Sequence, residues 1–171
     1  MFSHVFFSVS DFDRALAFYD AVMDGLGLER RFCEPAKLWA GWHSAGRARP
    51  FFVICKPHDG RPHDAGNGQM AAFTAGTRAM VDAVHRIALA HGGTCEGPPG
   101  LRTHYHPDYY GAYFRDPDGN KLCVVCHDAA GCASSSRGCA NSCAGSRCAP
   151  RARPRRRRSP ARSTAAHRRA P

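Results

Sequence analysis

The sequence predicts an α+β fold in which a βαβββ unit occurs twice in tandem. Three observations carry this reading. The order strand, helix, three strands repeats at an offset of 66 residues, laying His4 on Met70, Phe7 on Phe73 and Ser8 on Thr74. A polar, turn-rich stretch at 57–68 separates the two copies. Near the end, Asp116-Pro117-Asp118-Gly119 has the residue order of a type I turn set between two alternating strands.

In the first module, 1–60, residues 2–9 are rich in aromatic and β-branched side chains and predict a strand. Ser10, with Asp13 three residues on, fits a capping box. Phe12, Ala15, Leu16, Tyr19, Val22, Met23 and Leu26 then recur at helical spacing until Gly25 and Gly27 stop the helix. Short strands are expected at 29–33, 37–43 and 50–56. In the second module, 66–128, a strand at 69–75 leads to a helix capped by Thr77. Its apolar stripe is Met80, Val81, Val84, Ile87 and Ala88, and His91-Gly92-Gly93 ends it. Strands at 94–96, 109–115 and 121–126 complete the unit. On the last two, Tyr109, Gly111, Tyr113 and Arg115 share one face, and Cys123 alternates with Leu122 and Val124.

Composition divides the chain at residue 128. Residues 1–128 hold 13 Lys and Arg against 14 Asp and Glu, a formal charge of −1, whereas 129–171 hold 11 Arg and no acid. The net +10 therefore belongs to the tail, and a nucleic-acid-binding domain is not implied for 1–128. The tail also lacks Leu, Ile, Val, Met, Phe, Tyr and Trp, so it cannot bury enough apolar surface to offset chain entropy; disorder is expected. Three readings compete for it. Its arginine run at 151–158 suits nucleic acid or acidic surfaces. Its cysteines 132, 139, 143 and 148 match paired zinc ligands poorly. A lysine-free Arg/Ala/Ser/Pro/Cys composition is also what a GC-rich stretch read in a shifted frame gives, the reading we favour.

The domain's five cysteines, Cys33, Cys55, Cys95, Cys123 and Cys126, form no close-spaced framework, which predicts reduced thiols in a cytoplasm. No apolar window approaches a membrane span and no signal-peptide pattern opens the chain. Walker, dinucleotide and nucleophile-elbow motifs are absent.

Two βαβββ modules, His4 on the first strand, Phe18-Tyr19 in the first helix, Gly66-Asn67-Gly68 before the fifth strand, Ala72-Phe73 within it and the Arg115-to-Asn120 turn together resemble the vicinal oxygen chelate superfamily. That superfamily includes glyoxalase I, extradiol dioxygenases and bleomycin-resistance proteins. The resemblance covers 1–128. It implies a cup-shaped mixed sheet, a homodimer and a small-molecule substrate or ligand. It also implies a divalent metal (Zn, Ni, Mn or Fe) held by a His on the first strand, a His or Gln early on the fifth and a Glu on the eighth. By position these ligands fall on His4, Met70 and Cys123, with Gln69 one residue out of register and so on the opposite face. Only His4 is carried forward as a metal ligand. A His/Met/Cys set would be soft enough for copper, but Met and Cys more often pack apolar space, so a degenerate metal site is expected.

The candidate ligand-pocket residues are His4, Trp42, Met70, Tyr105, Tyr113 and Cys123. Tyrosine beside a cup mouth can stack on a ligand and hydrogen-bond it. His104 and His106, two residues apart, could pair on zinc but lack a third ligand; Cys123 as nucleophile would need a base such as His4 or His127. Two functions follow: a glyoxalase- or dioxygenase-like enzyme with a degenerate metal site, or a metal-free binding protein of the bleomycin-resistance type.

Overall fold

The structure, a computed structural model, describes residues 2–129. The expected order of elements is present. β1 (His4–Ser8), α1 (Phe12–Gly25), β2 (Leu28–Glu34), β3 (Trp39–Ser44) and β4 (Phe51–Cys55) form the first module. β5 (Ala71–Thr74), α2 (Arg78–Ala90), β6 (Thr94–Leu101), β7 (Tyr110–Arg115) and β8 (Lys121–Cys126) form the second. Each module is a four-stranded mixed sheet, ordered β1-β4-β3-β2 and β5-β8-β7-β6. The first strand of each pairs in parallel with the last, and the other pairs are antiparallel. The repeat inferred from the 66-residue offset is thus a repeat of sheet topology. Expectations for the basic tail fall on 130–171 and lie outside the described residues.

Each helix covers one face of its sheet with the side chains its period places there. On α1, Phe12, Ala15, Phe18, Tyr19, Val22 and Met23 are buried; on α2, Val81, Val84 and Ala88 are. Complete burial of one such large side chain stabilises by about 1.5–3 kcal/mol. Opposite them lie Phe52 and Ile54 of β4, Phe114 of β7, and Leu122, Val124 and Cys126 of β8. Phe52 bridges the modules, with its ring 5.2 Å from those of Tyr19 and of Phe73.

Three local details differ from the sequence reading. Ser10 does not cap α1; Asp11 does, accepting the Arg14 amide at 3.0 Å. Asp11 stands directly before the first turn, where its carboxylate reaches that amide, while the Ser10 hydroxyl is committed to Asp118. β5 starts at Ala71, so Met70 precedes the strand. β6 continues past Glu96 through Gly97-Pro98-Pro99-Gly100 to Leu101. Two prolines are tolerated because β6 is an edge strand, and its pairing with β7 shifts register across them.

The β7–β8 turn ties the modules together. Gly119, at φ 91°, takes the left-handed conformation that closes it. Asp116, 2% exposed, accepts four hydrogen bonds: the Asp118 and Asn120 amides on Oδ1 at 2.9 and 2.8 Å, and Tyr19 Oη–H and Asn120 Nδ2–H on Oδ2 at 2.7 and 2.8 Å. Asn120 Nδ2 also donates to the Ser8 carbonyl at 3.0 Å. A carboxylate this buried is tolerable because every lone-pair direction is met. Burial first, then Asp116, pushes the Tyr19 hydroxyl well above its ordinary range, so Tyr19 acts as a donor.

Replacing Asp116 by Ala strands the Tyr19 hydroxyl and two turn amides. It is expected to lower stability by about 2–4 kcal/mol in urea denaturation of the full-length chain, with Tyr19→Phe costing about 1 kcal/mol. Loss under 0.5 kcal/mol for Asp116→Ala would show that the turn does not fasten the modules.

Candidate functional site

The face of each sheet turned away from the helices carries the candidate site. In the first module, alternation puts His4, Phe6 and Ser8 of β1 on this face. Register brings them beside Phe51, Val53 and Cys55 of β4, which lie next to His43, Gly41 and Trp39 of β3. Residues after β4 fold over part of this face and leave a cavity of about 770 Å³ lined by Phe6, Ser8, Trp39, Cys55, Lys56 and Gln69, among others. A second, more polar depression of about 670 Å³ lies beside the β7–β8 turn, around Ser10, Arg14, Arg61, His63 and Asp118.

In the second module the same face holds Ala72 and Thr74 of β5, Cys123 and Val125 of β8, and Gly111 and Tyr113 of β7. Cys123 is fully buried. Tyr109 Oη lies 3.1 Å from Tyr113 Oη and 3.7 Å from Cys123 Sγ, so two hydroxyls and a thiol form a row. Burial pushes the Cys123 thiol up, against the opposing pull of the Tyr109 and Tyr113 hydroxyls and of Lys121 and Arg102. Burial likewise raises Tyr109 well beyond its ordinary range, with the hydrogen bond to Tyr113 next in weight, and it raises Tyr113 too. At neutral pH the row is therefore protonated and uncharged. It offers S–H and O–H donors, not a thiolate nucleophile or a phenolate base.

Charge lies around this row. Lys121 Nζ stands 5.9 Å and Arg102 Cζ 6.0 Å from the Tyr113 ring centroid. Lys121 pairs with Glu96 at 2.9 Å, and Arg115 pairs with the same carboxylate, which the two cations hold below its usual range. At the outer rim, Tyr105 is 61% exposed, with its ring 4.8 Å from that of Tyr109.

The six candidate positions divide. Tyr113 and Cys123 meet at the centre of the second module's face, and Tyr105 rims it. His4 is exposed at the start of β1, with Nδ1 3.3 Å from Ser3 Oγ and its ring edge-on to Phe6. Trp42 is turned the other way. It is 2% exposed, packs on Tyr19 and donates its indole N–H to Asp20 at 3.2 Å, while Trp39, three residues earlier and on the opposite face, lines the cavity. Met70 is 44% exposed and outside that cavity, which Gln69 reaches instead. Both residues precede β5, which starts at Ala71, so strand alternation does not set their faces. His106 does not join His104; its Nε2 lies 2.8 Å from Nδ1 of His127, with the rings stacked. Sequence reasoning missed Arg102, which lies beyond the expected end of β6. Tyr109 was visible there as a tyrosine on the Tyr113 face.

These residues do not fit the divalent metal that the resemblance implies. His4 has a serine and two phenylalanines for neighbours; Phe51 separates it from His43, whose Nδ1 contacts the Arg47 carbonyl. Among the described residues, no three His, Cys, Asp or Glu side chains gather closely enough to hold an ion. No described helix is long and apolar enough to cross a membrane.

Comparison with known proteins agrees with this architecture. A solved structure described as a glyoxalase/bleomycin resistance protein from Albidiferax ferrireducens T118 is 38% identical, spans 74% of this chain and 98% of its own, and superposes with a TM-score of 0.66. A glyoxalase/bleomycin resistance protein/dioxygenase family enzyme from Burkholderia phytofirmans PsJN shares the fold at 21% identity over 73% of this chain and 97% of its own, TM-score 0.55. So does a lactoylglutathione lyase from Agrobacterium tumefaciens, at 23% identity over 74% and 92%, TM-score 0.50. No curated protein matches. The family model of the Glyoxalase/Bleomycin resistance protein/Dioxygenase superfamily matches residues 1–124, and the chain belongs to that superfamily.

Proposed function

We propose that this chain is a metal-independent small-molecule-binding member of the superfamily, closer in action to a bleomycin-resistance protein than to a metal-dependent lyase or dioxygenase. One observation carries the reading. The positions that would hold a metal contribute a solitary His4, an exposed Met70 and a buried Cys123. Lewis-acid chemistry needs several converging donors to fix the ion, and among the described residues no three His, Cys, Asp or Glu side chains converge there. What the two faces turned away from the helices do offer is aromatic surface with a few hydrogen-bond donors, the composition of a ligand pocket, with a cavity over the first of them. The exposure of Phe2, Phe6 and Met70, at 77%, 47% and 44%, further favours the homodimer that the resemblance implies.

Ligand binding is tested by thermal denaturation of the full-length chain with benzamide or bleomycin as probes. A ligand at a hundredfold its dissociation constant adds about 2.7 kcal/mol, a rise of several degrees in melting temperature. That rise is expected to be equal with and without EDTA, and equal in His4→Ala. A rise abolished by EDTA or by His4→Ala would return a metal to the site and overturn the reading. The protonation state of Cys123 has its own check. Site-resolved alkylation by iodoacetamide at pH 7.5 is expected to modify the exposed Cys95 while Cys123 reacts slower by on the order of a hundredfold. Comparable rates would mean an accessible thiolate and revive the nucleophile.

A further inference from the structure

The face of the second module turned away from its helix carries a guanidinium with no acidic partner among the described residues. Arg102 leaves β6 and turns back over Tyr113, held by Nη2–H to the Pro98 carbonyl at 2.8 Å and Nη1–H to the Leu101 carbonyl at 3.2 Å. Two of its five N–H groups are used there. The nearby carboxylate, Glu96, is occupied by Lys121 and Arg115. Among the described residues no Asp or Glu pairs with Arg102, and 129–171 contain neither residue.

The backbone is shaped to admit this arrangement. A Cβ at Gly100 would stand 2.8 Å from Arg102 Nη1, one at Gly97 3.2 Å from Tyr113 Cδ2, and one at Gly111 2.9 Å from Tyr109 Cε1. The three glycines thus leave room for Arg102, Tyr113 and Tyr109 to lie close to the strand backbone. Two of them, Gly97 and Gly100, fall where β6 loses regular pairing with β7.

Donors outnumber acceptors in the resulting group. The Tyr109 and Tyr113 hydroxyls and the Cys123 thiol carry three hydrogens, and their two mutual contacts use two of them, leaving one hydrogen of the row to donate. The guanidinium keeps N–H groups in a planar fork that matches a carboxylate in two hydrogen bonds. Tyr105 and Tyr109, with rings 4.8 Å apart, supply flat apolar surface beside it.

We propose that this face binds the carboxylate of a small aromatic or similarly planar acid, with Arg102 as its anchor and the Tyr109–Tyr113 hydroxyl pair as the neutral donor. The proposal rests on the reading that the concave faces take a small molecule, and it names the class of ligand. A single fork and one spare hydrogen suit a two-oxygen anion better than a phosphate, whose three oxygens call for more cations.

The test is calorimetric titration of the full-length chain with benzoate and with its neutral isostere benzamide, in wild type and Arg102→Gln. Benzoate is expected to bind saturably, to weaken at least tenfold in Arg102→Gln and to weaken with added salt, whereas benzamide affinity stays within twofold. The arginines of 129–171 are common to both proteins, so their attraction for anions cancels. If Arg102→Gln proves unfolded by its melting curve, Arg102→Lys replaces it. That variant keeps the charge but loses the fork and is expected to weaken benzoate at least threefold. Benzoate affinity unchanged in the folded variant, or benzamide bound as tightly as benzoate by wild type, overturns the assignment of Arg102 and leaves the binding reading standing. If neither probe binds, the binding reading falls and takes this one with it.

Discussion

The buried carboxylate of Asp116 is the constraint on which this structure rests. It sits in a turn of the second module, yet its partners include a tyrosine of the first module's helix, and the neighbouring Asn120 reaches the Ser8 carbonyl of β1. One charged group thus fixes the turn geometry and the seating of the turn on the other module. An unpaired carboxylate there would cost several kcal/mol, so the arrangement is close to all-or-none. Asp118 extends the tie outward, accepting from the Ser10 amide at 3.1 Å and from Arg14 at 2.9 Å, while His63 bridges the Ser8 hydroxyl and the Asp118 carbonyl. The same residues that mark the superfamily in sequence therefore do structural work at the junction, away from the concave faces.

That separation leaves the side turned away from the helices free of the constraints that set the fold. Helix-facing positions such as Phe52, Phe114, Leu122 and Val124 are constrained by packing, and the turn is constrained by buried hydrogen bonds. The opposite face answers to neither. There a thiol, two phenols and a guanidinium without an acidic partner among the described residues form a group that is neutral at its centre and positive at its margin.

The fold was legible because its signals are local and redundant. Period-2 alternation in β7 and β8, the 3.6-residue stripes of α1 and α2, and Asp-Pro-Asp-Gly each point to the same element order, and the 66-residue repeat checks one module against the other. Faces were harder to read. Trp39 and Trp42 lie three apart on one strand and so on opposite sides; only pairing with β4, which the sequence does not state, tells which one meets the helix. Gln69 and Met70 precede a strand start, so alternation does not set their faces. Arg102 was hidden for another reason: glycine and proline at 97–100 read as the end of a strand, when in fact they are the relief that lets the chain continue and the arginine turn back. Cys123 and Tyr113 were legible because the hairpin that carries them was.

The central claim is that the concave side works without a resident metal, and elemental analysis of the full-length protein after growth in medium supplied with Ni, Zn, Mn and Fe tests it most directly. Comparison with His4→Ala separates ions held at β1 from any held by cysteines elsewhere in the chain. The account predicts the same metal content for both proteins. One equivalent of a divalent ion per chain that disappears in His4→Ala would contradict it.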